Sequence, residues 1–130
     1  METRKHFRKR DAILSCVRST DVHPSADWVF DQVRKEIPDI SLATVYRNLA
    51  LFKQQGLIAS VATVRGVERF DGNTDPHVHF ICQNCDAVID LPQLSVPHSL
   101  SSQAAAQIGG TVDACQLSFT GICHHCCQNH

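Results

Sequence analysis

Ser41-Leu-Ala-Thr-Val-Tyr-Arg-Asn-Leu-Ala-Leu-Phe-Lys-Gln-Gln55 decides how the first half of this chain reads. Leu42, Val45, Leu49 and Phe52 recur at three- and four-residue intervals, the spacing of one buried stripe on a helix. Ser41 is suited to cap its start and Gly56 to stop it. Ser41, Thr44, Arg47 and Asn48 then face outward, with Tyr46 near the edge, and such side chains donate to phosphates and base edges. Polar residues on a helix more commonly just solvate an exposed face, so its neighbours must decide the role.

Upstream, Arg8–Val17 carries Ala12, Ile13, Cys16 and Val17 at helical spacing behind a basic opening turn. His23-Pro24-Ser25 breaks the chain, and Ser25 can cap a second helix through Trp28, Val29, Val33 and Ile37, ended by Pro38-Asp39. Downstream, Leu57–Val64 and Val67–Asp71 are β-rich runs around Arg65-Gly66, which suggests a hairpin. Three helices and a hairpin are the layout of a winged helix-turn-helix, whose third helix enters the major groove while the wing touches phosphates.

Charge supports that division. The net charge is −1, but all 12 Lys and Arg lie between Arg4 and Arg69, where residues 1–71 carry nine acids and a net of +3. Residues 72–130 hold Asp75, Asp86, Asp90 and Asp113 with no Lys or Arg, a net of −4. Arg4, Lys5, Arg8, Lys9 and Arg10 would attract a phosphate backbone whatever its sequence. The expected organisation is a DNA-binding domain over 1–71, a hinge over 72–76, and a second domain over 77–130. No run approaches the ~20 apolar residues of a membrane span, and METRKHFRKR lacks an apolar signal core, so a cytoplasmic protein is expected.

Six of the eight His and six of the seven Cys lie in the second part. Cytosolic thiols stay reduced, so metal binding is the leading reading of so many cysteines. Cys82-Gln-Asn-Cys85 and Cys123-His-His-Cys126 are two C-x-x-C knuckles separated by 37 residues. Each presents two sulfurs at the bite of tetrahedral Zn²⁺, and together they predict a closed structural site. A part this short buries little surface by itself, so a metal clip is the natural supplement. Cys127 adjoins Cys126 as a rival fourth ligand, with spacing favouring Cys126; Cys16 reads as core. Cys115 lies on an alternating run, Val112 to Thr120, and reads as packed rather than reactive. Leu100–Ile108 reads as a short Ala-rich helix stopped by Gly109-Gly110, and His98, His124 and His125 as surface residues.

His77-Val78-His79 precedes the first knuckle. On a strand the two imidazoles share a face, which makes half of a transition-metal site. Asp90 ends the next strand, Ala87–Leu91, where a hairpin would bring its carboxylate alongside His79; Asp71 and His23 complete the candidate ligands. An H-x-H pair can equally be solvated, so spacing alone leaves this second metal site open. A deaminase-type zinc centre is excluded, because H-x-E with P-C-x-x-C is absent.

The succession of Ser41-x-Ala-Thr-Val-Tyr-Arg-Asn-Leu49, Arg69-Phe-Asp71, His77-x-His79 and the two C-x-x-C pairs resembles the ferric uptake regulator family, dimeric metal-dependent bacterial repressors. The resemblance implies an α+β chain: a winged helix-turn-helix, then a small α/β dimerisation domain with a structural Zn site. Within the family the sequence is most similar to the peroxide-sensing branch. That similarity implies an Fe²⁺ or Mn²⁺ regulatory site made of His23 (from His23-Pro-Ser-Ala-Asp27), Asp71, His77, His79 and Asp90, the last being Glu more often in iron-uptake repressors. It also implies that Pro76 and Val78 leave a further family metal site missing, and that peroxide would oxidise His23 or His77.

The favoured expectation is therefore a peroxide-responsive repressor, not an enzyme, that binds double-stranded operator DNA as a homodimer. An iron- or zinc-uptake repressor on the same fold is the near alternative. A zinc-ribbon redox or metal-transfer protein is a distant one, since it has no need of a basic winged helix.

Overall fold

The computed structural model describes residues 2–75 and 77–128, with side chains from residue 7 onward apart from that of residue 76. The side chains of Arg4 and Lys5, and Pro76, lie outside the described residues. The chain divides into two compact units, Met1–Thr74 and Asp75–His130.

The first unit comprises α1 (Glu2–Arg18), α2 (Ala26–Val33), α3 (Leu42–Gln54), β1 (Ala59–Val64) and β2 (Val67–Asp71). Ile13 and Val17 of α1, Val29 and Val33 of α2, and Val45, Leu49 and Phe52 of α3 meet in one core, joined by Ile37, Ile40, Ile58 and Phe70. α1 starts ahead of the expected Arg8 because Glu, Arg and Lys are good helix formers that an apolar period cannot register. α2 stops at Val33, short of Ile37. Hydrogen bonds from Glu36 N (3.0 Å) and Ile37 N (2.8 Å) to Val33 O carry the chain on as turns, so Ile37 still reaches the core.

Both expected caps form. Ser25 Oγ accepts from Trp28 N at 3.2 Å and Ser41 Oγ from Thr44 N at 3.1 Å. Ser41→Ala is expected to lower stability by about 1 kcal/mol, as read by the denaturant midpoint. α3 ends at Gly56, φ 76, with Gly56 N bonded to Lys53 O (3.1 Å) and Leu57 N to Phe52 O (2.9 Å). That pattern is a Schellman motif, and it claims Leu57 for the cap, so β1 begins at Ala59 rather than at Leu57. Leu42, expected in the buried stripe, is 37% exposed: as the first residue of the helix it lies beyond the end of the core.

β1 and β2 pair antiparallel through Arg65-Gly66, whose φ values of 51 and 81 suit a type I′ turn. After β2, Gly72 passes so close to α1 that an added Cβ would stand 2.7 Å from Arg18 Cα. Gly72→Ala must push backbone apart, and a loss of about 1–3 kcal/mol is expected in thermal unfolding.

In the second unit β3 (Val78–Cys82) and β4 (Val88–Leu91) form an antiparallel hairpin, β5 (Ser118–Gly121) runs parallel to β3, and the strand order is β4-β3-β5. α4 (His98–Ile108) ends at Gly109, φ 66, and α5 (His124–Gln128), not expected from the sequence, carries the last knuckle. β5 is much shorter than the run Val112 to Thr120, because its pairing with β3 starts only at His79↔Ser118; Cys115 lies outside it, half-buried. α4 buries none of its residues, and Leu94, Leu100, Ile108, Phe119 and Ile122 are exposed. Among the described residues, no helix is long and apolar enough to cross a membrane.

Candidate metal centres

The two knuckles bring Cys82, Cys85, Cys123 and Cys126 within 4.8 Å of one another. Cys82 Sγ lies 3.7 Å from Cys126 Sγ, and Cys85 Sγ lies 3.8 Å from Cys123 Sγ. Sulfurs at the corners of a tetrahedron around zinc are separated by roughly 3.8 Å, so the donor set and its spacing fit Zn²⁺. The first knuckle turns back through Asp86 at φ 64. Amide hydrogens of Cys123 (3.4 Å) and Cys85 (3.5 Å) point at Cys82 Sγ, and they hold its thiol down to about 6. Against a side-chain hydrogen bond from Asn84 that works the other way, burial and the three neighbouring sulfurs push the Cys126 thiol up to about 12. Four thiolates this close need a cation between them. Cys127 is exposed, and its Sγ donates to Ile122 O at 3.7 Å; Cys126 is the buried member.

The imidazole and carboxylate candidates fall in both units. In the second, His79 on β3 stands opposite Asp90 on β4. His77 precedes it by two residues, and the two rings are 4.2 Å apart. Both Nε2 atoms approach the same oxygen, Asp90 Oδ1, at 3.1 Å from His77 and 3.2 Å from His79. His77 Nδ1 lies 2.6 Å from Asp75 O, an outer contact of the kind that would make Nε2 the donor to an ion. In the first unit, His23 is 2% exposed and adopts φ 55, an uncommon backbone for a residue with a side chain. Its Nε2 lies 3.2 Å from Oδ2 of Asp71, the last residue of β2. Asp71 Oδ1 accepts from Asn73 N at 2.9 Å. Each unit thus sets imidazole nitrogen beside carboxylate oxygen, donor types that divalent first-row transition metals accept.

On α3, Ser41 Oγ and Thr44 Oγ1 are 2.8 Å apart and Arg47 Nη2 donates to Thr44 Oγ1 at 3.3 Å, so three of the candidate DNA contacts form one hydrogen-bonded line. Tyr46 is 53% exposed. Asn48 is half-buried, its amide folded back onto Thr44 O at 2.9 Å, which leaves it less to offer a partner. Two contacts were not read from the sequence: Lys53 Nζ to Glu68 Oε2 at 2.8 Å ties α3 to the wing, and Arg69 binds the loop that carries His23. The alternation of Arg69 with Asp71 along one strand was the available signal for the second.

A basic winged helix joined to a unit that gathers thiols and imidazoles defines a metal-responsive regulator. A sequence profile of the ferric uptake regulator family matches residues 2–120, and the chain belongs to that family. It is 34% identical over 126 residues to the peroxide operon regulator of Bacillus subtilis, covering 94% of this chain and 85% of that protein. It is 32% identical over 120 residues to a peroxide-responsive repressor of Staphylococcus aureus, covering 91% and 79%. The crystal structure of the Campylobacter jejuni peroxide stress regulator superposes with a TM-score of 0.77 at 27% identity, covering 94% and 91%. Regulators of this family bind DNA and act as dimers.

Proposed function

We propose that the protein is a peroxide-responsive repressor that binds double-stranded operator DNA as a homodimer in the cytoplasm, under control of an Fe²⁺ or Mn²⁺ ion shared by His23, Asp71, His77, His79 and Asp90. The observation that carries this reading is the occurrence of one His–Asp set before residues 72–76 and a second after them, the latter with two Nε2 atoms converging on a single Asp90 oxygen. His23 and Asp71 belong to the DNA-binding domain, 1–71, and the other three to the dimerisation domain, 77–130. By sharing one ion they tie the domains together across the hinge and fix the separation of the two α3 helices in the dimer, coupling ion binding to DNA binding. Ser41, Thr44, Tyr46 and Arg47 reach the groove, with Asn48 at its edge. The exposed apolar residues of α4 and β5 are the material of the dimer contact, and the four cysteines hold that domain in shape around Zn²⁺.

Five protein donors would hold the ion without excluding peroxide as a further ligand. An Fe²⁺ held there would supply the redox chemistry by which peroxide adds one oxygen to an imidazole carbon while its other oxygen leaves as water. His23 and His77 are the proposed acceptors of that oxygen, and loss of either as a ligand would free the domains and the DNA. The decisive experiment is mass spectrometry of Fe²⁺-loaded protein after a small peroxide dose. A gain of one oxygen on a peptide containing His23 or His77, absent with Mn²⁺, is expected. No such gain would favour an iron- or zinc-uptake repressor.

Asp90→Glu is expected to keep metal-activated DNA binding but blunt the peroxide response. The longer side chain would reach further toward the ion and compete with peroxide for it. Undiminished peroxide sensitivity of this variant contradicts the role given to Asp90.

A further inference from the structure

His23 is a buried histidine in a left-handed backbone turn, a conformation that persists only where the surroundings impose it. Those surroundings come from one strand. Arg69 Nε donates to His23 O, and its Nη2 donates to Val22 O at 2.8 Å. The next residue, Phe70, donates its amide to Pro24 O at 2.9 Å. Two residues after Arg69, and therefore on the same side of β2, Asp71 approaches the His23 ring at 3.2 Å. A single strand thus holds both the backbone and the imidazole of the same residue. The two N–H groups of the guanidinium fit two successive carbonyls, which an ammonium group engages less well.

We propose that Arg69 is a positioning residue for the regulatory metal: by clamping the carbonyls of Val22 and His23 it sets the left-handed turn and aims the His23 imidazole before any ion arrives. This rests on the reading of His23 as a ligand. Without the clamp, ordering the loop opposes ion binding, so affinity falls although all five donors remain. Outer contacts of this kind contribute about 10–100-fold to metal affinity.

The test uses the full-length, zinc-loaded protein. Before Mn²⁺ is added, the wild type should give a strong intraresidue amide–Hα NOE at His23, the signature of positive φ. Arg69→Met should lose that NOE and bind Mn²⁺ about 10–100-fold more weakly, with zinc content and thermal midpoint near wild type. Arg69→Lys keeps the charge and should fall between the two. If Arg69→Met does not fold, the Lys variant carries the test through the same two readouts. An undisturbed NOE with wild-type Mn²⁺ affinity overturns the proposal. If the wild type shows no Mn²⁺ binding that Asp90→Ala removes, the regulatory-site reading fails separately. The NOE then decides the clamp alone: its loss in Arg69→Met sustains it and its retention overturns it.

Discussion

Cys82→Ser is expected to unfold the second unit and leave the protein monomeric. Among the described residues there, the buried apolar ones are few: Val78 and Val88, with Cys82 and Cys126 themselves. Every member of the large apolar core belongs to the first unit, and α4 adds no buried residue to the second. A structural zinc site contributes an apparent 10–16 kcal/mol, roughly the whole stability of a small domain. Removing a sulfur also removes the group on which two amides converge. Cys123→Ser should behave alike, whereas Cys127→Ser should be nearly silent, because that thiol reaches only Ile122 O. Zinc content, near-UV circular dichroism and sedimentation would read the outcome. A stable, folded dimer of Cys82→Ser would show that the cysteines are not the clip.

The second large effect is expected from Asp90→Ala. His77 and His79 both bring Nε2 close to the same Asp90 oxygen, so this substitution removes one proposed donor and the carboxylate that two others approach. Contacts one layer further out contribute 10–100-fold; a direct ligand with this double role should cost at least about 100-fold in Mn²⁺ affinity and abolish metal-activated DNA binding. His77→Ala should match it. Zinc stays bound in both variants, because the cysteine cluster shares no residue with this set. Titration with Mn²⁺ and DNA-binding anisotropy on one sample would check both halves. Retained metal-activated binding would refute the assignment.

The legible features were the local ones. The apolar stripe of α3, the serine caps and the Arg65-Gly66 turn are fixed by neighbours a few residues apart. Period two put His77 and His79 on one face, and the short hairpin put Asp90 beside them. What could not be read depends on which partner each residue finds in the fold. Leu57 looks like a strand residue until Phe52 O takes its amide, and Leu42 fits a buried stripe that the core does not reach. The run from Val112 alternates like a strand but finds a partner only from Ser118. His23 gives no sign of its left-handed turn, since the arginine that holds it lies 46 residues away. The gathering of the four cysteines was legible in their spacing, because C-x-x-C supplies the bite that a tetrahedral ion demands. A mixed site drawn from separate elements has no such fixed spacing.

If residues of both domains hold one ion, its nitrogen ligands come from both. Pulsed electron paramagnetic resonance of the Mn²⁺-loaded protein, with ¹⁵N-labelled histidine, counts the imidazoles coordinated to the ion. Three are expected in the wild type and two in His23→Ala, with a matching loss of DNA binding. The same count in both proteins would mean that the second domain holds the ion alone, and the proposed coupling would be contradicted.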